Sequence, residues 1–256
     1  MGIGGAGQIL NTMTSNPHVP RLNELKIKIF SDGADLDSII EAYNKGVVKG
    51  FTTNPTLMSK AGITNYLAFA AEVLRVVKDL SVSFEVFSDE FEDMKQQALK
   101  LAALADNVYV KIPVTNTKQA PAAPLIRDLA GRGLKLNVTA ILSLKQVEEV
   151  AAALNPAVPA IVSVFAGRIA DSGRDPLPIM KQALEILRPL PRAELLWASP
   201  REALNIIQAD AMGCHIITVT PDLLAKSANF GKELETFSLE TVKMFYNDAV
   251  KSGFKL

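Results

Sequence analysis

The chain has 256 residues, 48% of them hydrophobic and 21% charged, which is the make-up of a globular protein with a sizeable core and excludes a disordered polymer. Its 27 basic residues balance 27 acidic ones, so no global field favours nucleic acid or an anionic membrane surface. One cysteine, Cys214, and two histidines, His18 and His215, leave no intramolecular disulfide or zinc constellation to expect, and a reducing, cytoplasmic setting is anticipated.

Residues 1–25 are rich in Gly, Asn, Thr and Pro and read as an N-terminal extension. Their GIGGAG stretch matches a dinucleotide-binding fingerprint by letters alone. No strand precedes it and no βαβ unit surrounds it, so no nucleotide cofactor is expected there. The stretch lacks the charged and apolar segments of a secretory leader, and no apolar run reaches the roughly 20 residues that a membrane span needs.

From residue 26 a beat sets in. KIKIFSD (26–32) is followed by ADLDSIIEAYNKG, GFTTN (50–54) by NYLAFAAEVLRVVKDL, SVSFEV (81–86) by FEDMKQQALKLAALA, and NVYVKI (107–112) by APLIRDLAGRG. The series continues with LKLNVT (134–139) before SLKQVEEVAAAL, AIVSVF (160–165) before DPLPIMKQALEILRPL, ELLWAS (194–199) before SPREALNIIQADAMG, and HIITVT (215–220) before a C-terminal SLETVKMFYNDAVKSG. Each short apolar run reads as a strand and each longer segment as an amphipathic helix. Eight such pairs predict a single (β/α)8 barrel over residues 26–256, with the N-terminal extension before it and a helix at its C-terminus. An open, doubly wound sheet is the alternative, because periodicity does not establish closure.

In such a barrel, inward and helix-facing residues alternate, and reactive groups collect at the C-terminal strand ends. The first strand sets Ile27 and Ile29 against Lys28, Phe30 and Asp32. The third sets Val82, Phe84 and Val86 against Glu85, and the fourth sets Val108, Val110 and Ile112 against Tyr109 and Lys111. The fifth opposes Leu136 and Val138 to Asn137 and Thr139, the sixth opposes Val162 and Val164 to Ser163 and Phe165, and the seventh ends in Ser199. One face therefore collects Asp32, Asn54, Glu85, Lys111, Asn137, Thr139, Ser163 and Ser199. Any one of these reads equally well as a satisfied core polar group or an exposed strand end. A whole mouth of them is costly to bury and points to chemistry.

The residue types narrow that chemistry. A buried ammonium costs several kcal/mol unless it is paired or gives up its proton, so Lys111 among aliphatic neighbours suits a role as amine nucleophile, forming an imine with a substrate carbonyl. Asp32 and Glu85 are the candidate proton movers. An imine at a ketone draws electrons from the neighbouring C–C bond, the basis of aldol cleavage. Arg168, just past the sixth strand, and Arg201, expected at the start of the seventh helix, form with Ser199 a candidate phosphate clamp, to which a helix N-terminus would add backbone N–H groups.

The motifs FSDGAD, GFTTNPTL, SFEV, VYVKIPVT, LNVTAILS, VSVFAGRIAD and LLWASPREAL, in that order, resemble those of the transaldolases, including the small subfamily that also holds the fructose 6-phosphate aldolases. The resemblance implies that Lys111 forms a Schiff base with a ketose phosphate and that Asp32 moves the proton at the hydroxyl next to the bond that breaks. It implies a catalytic water held by Glu85 and Thr139, donor hydroxyls held by Asn54, Asn137 and Ser163, and a phosphate held by Arg168, Ser199 and Arg201. No cofactor or metal is implied, and the partners are sugar phosphates. The aldolases resemble this pattern but carry Gln and Tyr where this chain has Glu85 and Phe165, so both positions favour the transferase. The enzymatic alternative is an aldolase releasing free dihydroxyacetone, and the alternative outside enzymes is a barrel that only binds a sugar phosphate.

An apolar stripe through Leu239, Val242, Phe245, Tyr246 and Ala249 in the last helix reads as packing against the barrel or, as the alternative, against a neighbouring subunit, and a homo-oligomer is an expectation from the apolar helix faces and the resemblance. Cys214 and His215, at the start of the eighth strand, fall at the end away from the site and read as structural.

Overall fold

Strands with one aliphatic face need helices over that face, and here the chain supplies them in sequence. The computed structural model describes residues 18–255, so the GIGGAG stretch lies outside the described residues. All eight expected strands form: β1 (Lys28–Asp32), β2 (Gly50–Thr52), β3 (Ser81–Glu85), β4 (Val108–Pro113), β5 (Leu136–Ile141), β6 (Ala160–Val164), β7 (Ala193–Trp197) and β8 (Ile216–Val219). They pair in chain order, all parallel, and β8 pairs with β1, closing the sheet into a barrel. Closure rules out the open doubly wound sheet.

Helices α1 (Leu36–Lys45), α2 (Pro55–Lys60), α3 (Tyr66–Val76), α4 (Phe91–Ala102), α5 (Ala123–Gly131) and α6 (Leu144–Ala151) follow the first five strands. α7 (Ala166–Asp171), α8 (Leu177–Leu187), α9 (Leu204–Ala211) and α10 (Pro221–Ala225) follow the last three. The sequence pattern predicts one helix per strand, whereas β2, β6 and β8 are each followed by two. The additional helices α2 and α7 have six residues each and α10 has five, too short to carry an amphipathic period. α2 is marked instead by its cap: Asn54 Oδ1 accepts from Leu57 N at 3.0 Å and Pro55 occupies the first turn.

The chain divides into two compact units. One, Leu25–Ser227, contains the barrel and α1–α10. The other takes in the described residues 18–24 and 228–255, including the last helix, α11 (Leu234–Ser252). α11 buries none of its residues, and Leu239, Val242, Phe245 and Tyr246 are all exposed.

Within the barrel unit the expected alternation holds. Val82, Phe84, Val110, Ile112, Leu136, Val138, Val162 and Val164 are fully buried on the aliphatic face. The opposite face carries an apolar cluster of Phe30, Ile161, Leu196, Ala198 and Ile216, with Tyr109 and Phe165 packed against it. Gly50 makes room for that cluster, since a Cβ there would lie 2.6 Å from the Phe30 ring. Sharing the face are Thr52, Ser83, Asn137, Ser163 and Thr218, all buried.

Cys214 is buried, and His215 Nδ1 accepts from Leu195 N at 2.9 Å, tying β7 to the start of β8. Among the described residues no helix is long and apolar enough to cross a membrane, and no cluster of His, Cys, Asp or Glu could hold a metal ion.

Candidate active site

Parallel strands pair residue by residue, so register decides which inward side chains become neighbours. β3 and β4 pair Glu85 with Lys111, and β4 and β5 pair Lys111 with Asn137. Lys111 is only 6% exposed. Its Nζ donates to the Thr53 carbonyl at 2.9 Å and lies 3.1 Å from Glu85 Oε2. The cost of burying an ammonium is thus met by two acceptors, one of them charged. The same contact sets a carboxylate directly beside the buried amine.

Asp32 ends β1 on the same inward face. Thr52 Oγ1 donates to Asp32 Oδ1 at 2.7 Å and meets Thr218 Oγ1 at 2.5 Å. Desolvation lifts the Asp32 carboxyl above its usual range, outweighing the opposing pull of the Lys111 charge and the Thr52 hydroxyl. A carboxyl shifted in that direction is better suited to exchanging a proton near neutral pH.

Thr139 and Asn137 come from β5, where pairing with β6 slips between Val138 and Ile141 and Ala140 adopts φ 61°. A bulge and a left-handed, non-glycine residue at a strand end are features that gather at functional sites. Thr139 Oγ1 is buried with no hydrogen-bond partner among the described residues. Asn137 and Ser163 bond to each other: Ser163 Oγ donates to Asn137 Oδ1 at 2.6 Å, and Asn137 Nδ2 donates to Ser83 Oγ at 3.0 Å. Asn54 spends its carbonyl oxygen on capping α2, which leaves its NH2 group for other partners. Phe165 is half-buried as the residue that opens α7.

The basic end differs from expectation in two ways. β7 stops at Trp197, and Ser199 sits beyond it in a left-handed turn, φ 58°. Arg201 is not at the helix start, because α9 begins only at Leu204. The N–H groups of Arg201 and Glu202 both donate to Asn205 Oδ1, at 2.8 and 3.0 Å, so the amides expected to assist a phosphate already have an acceptor. Asn205, four residues on, competes for them because a side-chain carbonyl is an efficient local cap.

The guanidinium of Arg201 grips Asp171 from α7, with Nε 2.9 Å from Oδ1 and 3.1 Å from Oδ2 and with Nη2 also on Oδ2. Arg201 holds the Asp171 carboxyl below its usual range, and the Arg168 charge adds to that effect. Arg168 therefore lies close enough for its charge to act on the carboxylate that Arg201 holds. α7 reaches this position because residue 167 is glycine: a Cβ there would lie 1.5 Å from the Ser199 carbonyl oxygen.

Sequence reasoning missed Thr52, Thr53, Ser83, Thr218, Tyr66 and Asp171. Thr52, Ser83 and Thr218 share strand parity with the predicted residues, so the alternation that found Lys111 would have found them. Thr53 acts through its carbonyl, which no residue type announces. Tyr66 carries no local signal at all.

A family model described as transaldolase/fructose-6-phosphate aldolase matches residues 29–256. A protein of Thermoanaerobacter sp. (strain X514) named "Probable transaldolase" is 32% identical over 231 residues, covering 90% of this chain and all of that one. Another with the same name from Nitrosopumilus maritimus (strain SCM1) is 33% identical over 202 residues, covering 78% of this chain and 86% of its own. Among solved structures, a 2,3-dimethylmalate lyase of the PEP mutase/isocitrate lyase superfamily superposes with TM-score 0.53 over 91% of this chain and 86% of its own, at 14% identity. That likeness concerns the barrel alone.

Proposed function

The chain belongs to the transaldolase/fructose-6-phosphate aldolase family, and from that premise we propose that it is a transaldolase of the pentose phosphate type, an enzyme that transfers ketone residues. It moves a dihydroxyacetone unit from sedoheptulose 7-phosphate or fructose 6-phosphate to glyceraldehyde 3-phosphate or erythrose 4-phosphate. The observation that carries this reading is a buried lysine amine in register with a carboxylate, on the same inward face as a second, raised carboxyl.

Lys111 gives a proton to Glu85 and attacks the ketose carbonyl. Loss of water then leaves an iminium, with Glu85 and the Thr139 hydroxyl holding the water that relays protons. Asp32 takes the proton from the C4 hydroxyl, the C3–C4 bond breaks, and its electrons pass into the iminium nitrogen. The aldose phosphate leaves and a three-carbon enamine stays on Lys111. The enamine carbon then attacks the aldehyde of the acceptor, Asp32 returns its proton to the new hydroxyl, and water hydrolyses the imine. Asn54, Asn137 and Ser163 hold the donor hydroxyls, and Arg168, Ser199 and Arg201 hold the phosphate.

The test is product analysis with fructose 6-phosphate as donor. Formation of sedoheptulose 7-phosphate that requires erythrose 4-phosphate supports the transferase. Free dihydroxyacetone formed without an acceptor would identify an aldolase instead, and binding without turnover would identify a sugar-phosphate-binding barrel. Self-association belongs to the same reading, with the exposed apolar side chains of α11 as the surface a second copy covers. A monomer in sedimentation at micromolar concentration would contradict that part.

A further inference from the structure

β3 outlasts its neighbour. β2 ends at Thr52 because Asn54 and Pro55 turn the chain into α2, and the last bond between the two strands runs from Thr53 N to the Ser83 carbonyl at 3.1 Å. The next residue of β3 whose peptide groups face that side is Glu85. Its N–H and C=O, at a part-buried position, would have no strand partner on that side, and unpaired backbone groups away from water are costly.

Both are taken by one side chain. Tyr66 Oη accepts from Glu85 N at 2.8 Å and donates to Glu85 O at 2.7 Å, which a hydroxyl can do simultaneously with its one proton and two lone pairs. The phenol is itself held. Asn65 caps α3 by accepting from Ala68 N at 3.0 Å, and the Tyr66 ring packs between Phe84 and Phe87, with centroids 6.3 and 5.5 Å away. Burial pushes its hydroxyl well above the usual phenol range, so it remains protonated and able to donate.

Resting on the transaldolase reading, we propose that Tyr66 is a positioning residue for the reaction: by clamping the backbone of Glu85 where the β2 ladder runs out, it holds the carboxylate in proton-transfer distance of Lys111. Lys111 and Asn137 are fixed by strand pairs on both sides, and Thr139 lies at the bulge. Glu85 is fixed on its β2 side by a phenol from a helix.

The experiment is a double-mutant cycle of Tyr66→Phe and Glu85→Gln, read by kcat, by KM for fructose 6-phosphate and by the rate at which borohydride traps the substrate on Lys111. Tyr66→Phe keeps the ring packing and removes only the hydroxyl. Its expected effect is a drop in kcat and trapping rate of about tenfold, with KM within about twofold, because a small misplacement of a proton acceptor costs rate more than binding. On the Glu85→Gln background the same change is expected to cost less than about twofold, since the carboxylate through which Tyr66 acts is already gone. Equal losses on both backgrounds, or no loss on either, would overturn the proposal while leaving the transaldolase reading intact. Should Tyr66→Phe fold poorly by circular dichroism, Tyr66→Trp, whose N–H can donate but not accept, is compared in the same cycle against the same criterion. A wild-type enzyme that traps no substrate on Lys111 would remove the transaldolase reading itself, and this inference with it.

Discussion

Lys111 Nζ and Glu85 Oε2 lie 3.1 Å apart because β3 and β4 pair their Cα atoms in register and both side chains point inward. A single-residue slip would turn one of them toward the helices and abolish the pair. Two neighbouring strands thus deliver the amine and the carboxylate to which the proposed mechanism gives the roles of nucleophile and base.

Asp32→Asn tests how far function is held at the expense of stability. The Asp32 carboxyl is raised in the folded state, so the fold binds that proton more tightly than the unfolded chain does. The stability it contributes is full below the unfolded value and is lost as pH rises through the folded value, so the charged group is a burden at neutral pH. Asp32→Asn is expected to abolish turnover while raising stability by about 0.5–2 kcal/mol at pH 7, an advantage that shrinks on acidification. Thermal melts across pH 4–8, in roughly one-unit steps, check the sign.

Gly167→Ala addresses the basic end. The new methyl group would lie 1.5 Å from the Ser199 carbonyl oxygen, so α7 and the Ser199 turn have to move apart. Overpacking of this kind costs about 1–3 kcal/mol, and the displaced Arg168 and Arg201 are expected to raise KM for phosphorylated donors much more than for free dihydroxyacetone. Equal changes for both substrate classes would argue against a phosphate role for this end.

Phe165→Tyr probes what separates transfer from release. Phe165 is half-buried against the apolar cluster inside the barrel, at the position where the sequence resemblance implies a Tyr in the aldolases. Added to this chain, the hydroxyl is expected to produce dihydroxyacetone without an acceptor, measurable by reduction with a glycerol dehydrogenase. Unchanged dependence on the acceptor would place the control of release elsewhere.

How much of this was legible in the sequence follows from the range of the physics involved. The eight strands and the inward face were readable because alternation is local: Lys111, Glu85, Asp32 and Thr139 all sit where parity puts them. Closure and register were not, since they depend on pairing between residues far apart in the chain, so the adjacency of Lys111 and Glu85 had no signature of its own. Arg201 was misplaced at a helix start because Pro200 and the following polar residues resemble an N-terminus, while Asn205 caps the loop and delays α9 to Leu204. Tyr66 lay hidden for the same reason as the register, its partner Glu85 being 19 residues away.

The most direct measurement is borohydride reduction in the presence of fructose 6-phosphate, followed by peptide mapping. A three-carbon or six-carbon adduct on Lys111, absent from Lys111→Met, is the result expected of an amine nucleophile at the barrel mouth. An adduct on another lysine that persists in Lys111→Met, or turnover retained by that variant, would contradict it.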